Sequence, residues 1–83
     1  MNRLIAAANT TIPALMALEQ RGFLVSLKAD GFASCRAVRG DEEYVADNPV
    51  MALGLIKLLE VRGWEWKPTL VELREVGRRY GLL

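Results

Sequence analysis

One stretch, residues 44–63, restricts what this chain can fold into more than any other. The side-chain oxygen of Asn48 is placed to accept a hydrogen bond from a free N–H in the first turn of a helix. Pro49 suits the first helical position, because an N–H would have no partner there. Gly63 suits the left-handed residue that ends many helices. The sequence therefore predicts a long helix between these signals.

The predicted helix is apolar around most of its circumference. One broad face, built on three- and four-residue spacing, comprises Met51, Ala52, Leu55, Ile56, Leu58 and Leu59. Leu53 widens this face, whereas Lys57 is among the few polar positions. A helix of this kind is usually covered on more than one side. We expect a sheet on one side, with Leu55 in the core, and a second helix or a second copy of the chain on the other. Gly54 marks either a close helix approach or a tolerated glycine.

Size and composition also favour an oligomer. With 83 residues the chain is long enough for one compact domain, residues 1–83, whose single core is marginal. Hydrophobic residues make up 52% of the chain, which is more than one small core needs. We therefore expect a homodimer whose interface covers the remaining apolar surface.

Several functional classes are disfavoured by composition. The net charge of +1 gives no general attraction to polyanions, and the chain has no histidine, the commonest metal ligand and proton shuttle. Cys35 is the only cysteine, which fits a reducing compartment. The apolar start is too short for a signal peptide, and polar residues interrupt every run that might span a membrane. We expect a cytoplasmic protein without a membrane association.

Shorter elements precede the long helix. A first helix is predicted from Ile12 to Arg21, with a cap from Thr10 or Thr11 and a stop at Gly22. Its expected inner face consists of Ile12, Leu15, Met16 and Leu18. Three strands follow over residues 23–28, 32–39 and 42–46, joined by turns at Asp30-Gly31 and Gly40-Asp41.

The second strand carries small residues on one face. Ala33, Cys35 and Ala37 alternate with larger side chains, so a helix can lie close to this face of the sheet. This packing also explains Cys35 as a small buried residue, since a Cys–His nucleophile cannot exist without histidine.

The chain ends with a predicted helix from Leu70 to about Tyr80. Thr69 and Glu72 have the spacing of a capping box. Leu70, Leu73, Val76 and Tyr80 are expected to be buried by this helix. The whole order predicts an α+β fold: a helix, a three-stranded antiparallel meander, a long apolar helix and a short C-terminal helix.

The helix–meander–helix order over residues 11–63 resembles the double-stranded-RNA-binding domain. Its strand-plus-apolar-helix half also resembles the HicB-type antitoxin fold and small bacterial and phage ABA-sandwich domains. The likeness is one of topology, and one fold supports many functions. The RNA-binding family holds phosphates with lysines at the start of its second helix, where this chain has Asn48-Pro49-Val50-Met51.

No set of residues predicts catalysis. Asp41, Glu42, Glu43 and Asp47 form an acidic cluster, but they lack the calcium-loop pattern and suit a solvated turn. The sequence therefore predicts no catalytic, cofactor or metal site, and no enzymatic activity.

The remaining candidates suit an interaction surface. Trp64 and Trp66 share a face if the segment is extended, and such a pair often covers an interface or a core edge. We expect a protein-interaction or regulatory module that binds through Leu53, Lys57, Trp64, Trp66, Arg74 and Arg78. The alternative is a nucleic-acid-binding or antitoxin-type or immunity-type regulator, in which Arg74 and Arg78 contact phosphates. Glu75 is placed to pair with Arg78 instead.

Overall fold

The computed structural model describes residues 1–28 and 34–83 and has an α+β fold with the element order α-β-β-β-α-α. In these ranges the helices are α1 (Thr11–Gln20), α2 (Pro49–Arg62) and α3 (Leu70–Arg79). The strands are β1 (Leu24–Leu27), β2 (Cys35–Arg39) and β3 (Glu42–Ala46). The predicted fold class and order are confirmed, while the predicted Asp30-Gly31 turn lies outside the described residues.

The sheet is an antiparallel meander in the order β1-β2-β3. Leu24 of β1 lies opposite Val38, and Cys35 of β2 lies opposite Ala46. Both α1 and α2 pack against this sheet and against each other. The small residues of β2 allow this close packing, because Cys35 and Ala37 have no exposed surface. The predicted small-residue face is thus confirmed for these two positions.

The core lies between the sheet and the two helices. It consists of Leu18, Phe23, Cys35, Ala37, Tyr44, Ala46, Ala52 and Ile56. The rings of Phe23 and Tyr44 meet edge to face, with centroids 5.7 Å apart and planes at 72°. Arg39 packs over the Phe23 ring, since its guanidinium carbon lies 4.3 Å from the ring centroid. Its Nη1 also donates to the carbonyl of Arg21 at 2.8 Å, which ties β2 to the end of α1.

The buried face of α1 differs from the prediction. Ala14 and Leu18 are buried, whereas Ile12 and Met16 are exposed. The helix packs against both β1 and α2. The two buried residues, Ala14 and Leu18, lie one turn apart on the side that faces these elements. The predicted cap is also absent, because the Thr10 hydroxyl donates to the carbonyl of Ala7 at 2.6 Å and caps no N–H.

Both ends of α2 follow the predicted signals. The N–H of Met51 donates to Oδ1 of Asn48 at 2.9 Å, and Pro49 occupies the first helical position. Gly63 ends the helix with a φ of 79°, a backbone conformation that residues with a side chain rarely adopt. A Cβ on Gly54 would meet nothing within 4 Å, so no helix of the described residues approaches closely there.

The prediction that Leu55 of α2 lies in the core is wrong. The covered residues are Pro49, Ala52 and Ile56, with Leu53 and Leu59 partly buried. Met51, Leu55 and Leu58 are exposed; Leu55 retains 37% of its surface against 7% for its neighbour Ile56. The sheet covers one side of the helix and α1 covers the next. The third side, which we call the α2 strip (Met51, Leu55 and Leu58), is covered less: each of its residues keeps more than a third of its surface exposed in the described chain.

Local signals define α3 at both ends. The N–H of Glu72 donates to the hydroxyl of Thr69 at 3.2 Å, and the Thr69 N–H donates to Oε1 of Glu72 at 2.9 Å, which confirms the capping box. Gly81 follows with a φ of 72°, and the Leu82 N–H donates to the carbonyl of Gly77 at 2.7 Å. These features form a Schellman motif, so α3 has a clear beginning and end.

The predicted burial of α3 is wrong. Its apolar residues Leu70, Leu73, Val76 and Tyr80 are all exposed, and Leu73 retains 49% of its surface. No extensive contact joins α3 to another helix or strand of the described chain. A ten-residue helix is marginal in water unless its apolar face is covered. The helix is thus well defined by sequence but uncovered within one chain.

Candidate protein-interaction surface

A groove of about 700 Å³ lies between α2 and α3, and we call it the α2–α3 groove. Its apolar lining comprises Leu58, Trp66, Pro68, Leu73, Val76, Leu82 and Leu83. Polar residues also line it, including Arg62 at the end of α2 and Glu72 and Arg79 on α3. Charged side chains thus stand beside an open apolar surface, which is the usual composition of a protein interface.

A smaller hollow of about 270 Å³ continues this surface toward the sheet. Leu55 and Leu58 of the α2 strip form one wall, and Val45 of β3 and Trp64 also line it. Leu58 and Trp66 line both spaces, so the two are adjacent. The result is an apolar surface that runs from β3 across α2 to α3.

The two tryptophans hold the linker between α2 and α3 in place. Trp64 stacks on Tyr44, with centroids 6.2 Å apart and planes at 25°. The backbone carbonyl of Trp66 accepts a hydrogen bond from Nε of Arg62 at 2.9 Å. Both side chains line the smaller hollow, as expected for residues two apart in an extended segment. Their role in binding stays a prediction.

Tyr44 is held in place beneath Trp64 by an ionic network. Its hydroxyl donates to Oε1 of Glu42 at 2.9 Å, and Nε of Arg39 donates to Oε2 of Glu42 at 3.1 Å. The hydrogen bond from Tyr44, followed by that from Arg39, lowers the pKa of Glu42. Burial raises the pKa of Tyr44, and its bond to Glu42 adds to the rise. The network therefore favours an ionised Glu42 and a neutral Tyr44.

We expect acid to weaken this network in the native protein. Because folding lowers the pKa of Glu42, its ionised form stabilises the native state above the unfolded carboxyl value of about 4.3. This contribution is lost as the pH falls through the lower folded value. Glu42→Gln should therefore flatten the fall in melting temperature between neutral and acidic pH. Glu65→Gln, at an exposed carboxylate, is the matched control and should leave the profile unchanged; equal profiles for the two variants would contradict the prediction.

The structure separates the residues predicted to form one interaction surface. Leu53 packs against the core beside α1, and Lys57 is exposed and pairs with Glu60 at 3.6 Å. Neither belongs to the α2 strip. The sequence placed Leu55 of this strip in the core, although the three- and four-residue spacing of the strip was visible. Periodicity identifies an apolar face, but it does not say which face meets the sheet.

Arg74 and Arg78 also lie away from the groove, as neither contributes to its lining. Among residues 1–28 and 34–83, no ion pair involves these arginines or Arg79. The pairing expected from Glu75 is therefore absent. A cationic side of α3 is thus exposed separately from its apolar side.

The acidic residues and the cysteine that were considered as chemical sites make structural contacts instead. Glu42 pairs with Arg39 at 3.1 Å, and Glu43 pairs with Arg36 across the outer face of the sheet. Cys35 is fully buried, and burial raises the pKa of its thiol. Within the described ranges no group of three acidic, histidine or cysteine side chains is arranged to hold a metal ion. No helix in those ranges is long and apolar enough to cross a membrane.

No family model, curated protein or solved structure matches this chain. The geometry of the apolar surface is therefore the basis for assigning a function.

Proposed function

We propose that this protein is a non-catalytic interaction module that self-associates through the α2 strip and the α2–α3 groove. One observation carries the proposal: the single chain exposes far more surface than a compact monomer does. Its accessible surface is 6951 Å², whereas a folded monomer of this mass exposes about 4,900 Å². Its radius of gyration is 15.0 Å, against about 12 Å for a compact chain of this length.

The excess surface lies at the two ends of the chain. Residues 1–9 are exposed throughout, and within residues 61–83 only Gly77 is buried. The excess amounts to about 2,000 Å², while a stable interface covers about 800 Å² on each partner. Covering the C-terminal part alone would supply such an interface.

The character of the surface favours a protein as its ligand. Small-molecule sites enclose most of their ligand and direct a few polar groups at it. Here the groove is wide and open, and its polar residues are long ionic side chains. Trp66 and the leucines around it form a central aromatic and aliphatic cluster of the kind that dominates binding energy at protein interfaces. A homodimer with a regulatory or accessory role in the cytoplasm is the simplest form of this proposal.

Sedimentation equilibrium of the full chain at micromolar concentrations tests the proposal. The expected mass is twice the 9.2 kDa of one chain, with dissociation on dilution. A constant mass of 9.2 kDa throughout the series would refute self-association.

A second candidate function is nucleic-acid binding by α3, and it is favoured by arginines that form no ion pair within residues 1–28 and 34–83. Arg74 and Arg78 stand one turn apart and are free to contact phosphates, consistent with an antitoxin-type regulator. This candidate predicts retardation of DNA or double-stranded RNA that weakens steeply as salt rises, and that Arg74→Gln reduces. Unretarded nucleic acid at low salt would dismiss it.

A further inference from the structure

We propose that the α2 strip is covered by α3 of a second copy, so that two chains exchange their C-terminal helices. In this arrangement each α3 lies antiparallel across the partner's α2. The inference rests on the self-association proposed above and specifies the occupant of the surface.

Within one chain, α3 lies beside the end of α2 and not beside its start. From α2, only Leu58 and Arg62 line the groove that faces α3. Met51 and Leu55 lie nearer the start of α2 and are not covered by α3 of the same chain. Stacking of Trp64 on Tyr44 and the bond from Arg62 to the Trp66 carbonyl hold the linker at the end of α2. A helix supplied by another chain is not subject to this restraint.

The apolar face of α3 is long enough to cover the α2 strip. From Met51 to Leu58 the strip rises about 10 Å, and from Leu70 to Tyr80 the α3 helix rises about 15 Å at 1.5 Å per residue. An antiparallel arrangement places Leu58 opposite the partner's Leu73 and Met51 opposite the partner's Tyr80. The strip is therefore covered along its whole length by one helix.

The charges at the helix ends favour the antiparallel direction. The α2 helix ends at Arg62, whereas α3 has Glu72 in its first turn and ends at Arg79. Antiparallel packing brings Glu72 toward the partner's Arg62. Parallel packing would instead place Arg79 beside the partner's Arg62, which puts like charges together.

The linker is long enough for the exchange. Residues 63–69 are neither helix nor strand, and seven extended residues reach about 20 Å or more. Each exchanged helix buries its own apolar face and at the same time covers the α2 strip of the partner. A two-fold dimer makes this contact twice, which is how a symmetric pair removes the large excess of exposed surface.

Disulfide trapping between two single variants tests the exchange. A tagged Met51→Cys chain is mixed with an untagged Tyr80→Cys chain, and the mixture is oxidised and separated by mass without reductant. The matched control replaces Tyr80→Cys with Leu70→Cys, at the other end of α3, because both residues are equally exposed. Wild type, whose only cysteine is buried, reports the background.

The exchange predicts that the mixed Met51–Tyr80 product exceeds both the Met51–Leu70 product and the Met51–Met51 product at least tenfold. Leu55→Cys mixed with Val76→Cys is a second pair, and it should also give a mixed product. A dominant Met51–Met51 product in a protein that sediments as a dimer would overturn the exchange alone. A dominant Met51–Leu70 product would overturn the antiparallel direction on which the charge argument depends. A chain that stays monomeric would overturn both the exchange and the proposed self-association.

Discussion

Replacing Ile56 by alanine should lower the free energy of unfolding by about 2–5 kcal/mol, the range found for large-to-small changes in protein cores. Ile56 is the largest α2 side chain in the core cluster and retains only 7% of its surface. The substitution removes three carbon atoms from a space between helix and sheet that cannot collapse completely. Urea unfolding followed by circular dichroism measures the loss.

The neighbouring substitution Leu55→Ala is the control, because it removes the same number of carbon atoms from the α2 strip. At low protein concentration, where the chain is dissociated, Leu55→Ala should change the midpoint much less than Ile56→Ala. At high concentration its effect should grow, since stability and association are linked. Equal losses from the two variants at every concentration would place Leu55 in the core and contradict the structure.

Leu73→Asp should weaken self-association at least about 100-fold, because it places a charge within an interface that otherwise excludes water. Leu73 lines the α2–α3 groove and retains 49% of its surface in the single chain. The position is therefore open to water in the monomer, so the variant should fold. Sedimentation equilibrium measures the change in dissociation constant.

Val71→Asp tests whether the position of the new charge matters. Val71 is also an exposed apolar residue in the first turns of α3, but it does not line the groove. This variant should retain wild-type association. If both variants dissociated equally, the effect would arise from charge on the helix and not from the groove, and the proposed surface would be wrong.

The helix ends were predictable because each depends on a few neighbouring residues. Asn48 and Pro49 start α2, Gly63 ends it, and Thr69 with Glu72 starts α3. Hydrogen bonds within one turn account for these signals. The exception is Thr10, whose hydroxyl bonds backward to Ala7 because the preceding residues form a short 3-10 turn.

The candidate surface was only partly predictable. The sequence proposed Trp64 and Trp66 for it, and both line the smaller hollow beside the α2–α3 groove. It also proposed Leu53, which packs against the core and away from the α2 strip; the part of all three residues in binding stays a prediction. The separation of Leu53 from the strip has a simple cause: α2 carries apolar residues on three sides, and a pattern along one helix contains no information about its neighbours.

The sequence by itself determined the order of the elements, the caps of α2 and α3, and the excess of apolar residues over what one small core can bury. Only the tertiary structure decided that Ile56 lies inward while Leu55 lies outward, and that the apolar face of α3 is uncovered. Local hydrogen bonds and residue conformations are encoded over a few positions, whereas burial depends on which distant elements pack together. Residues with the same chemistry therefore have different roles on adjacent sides of one helix.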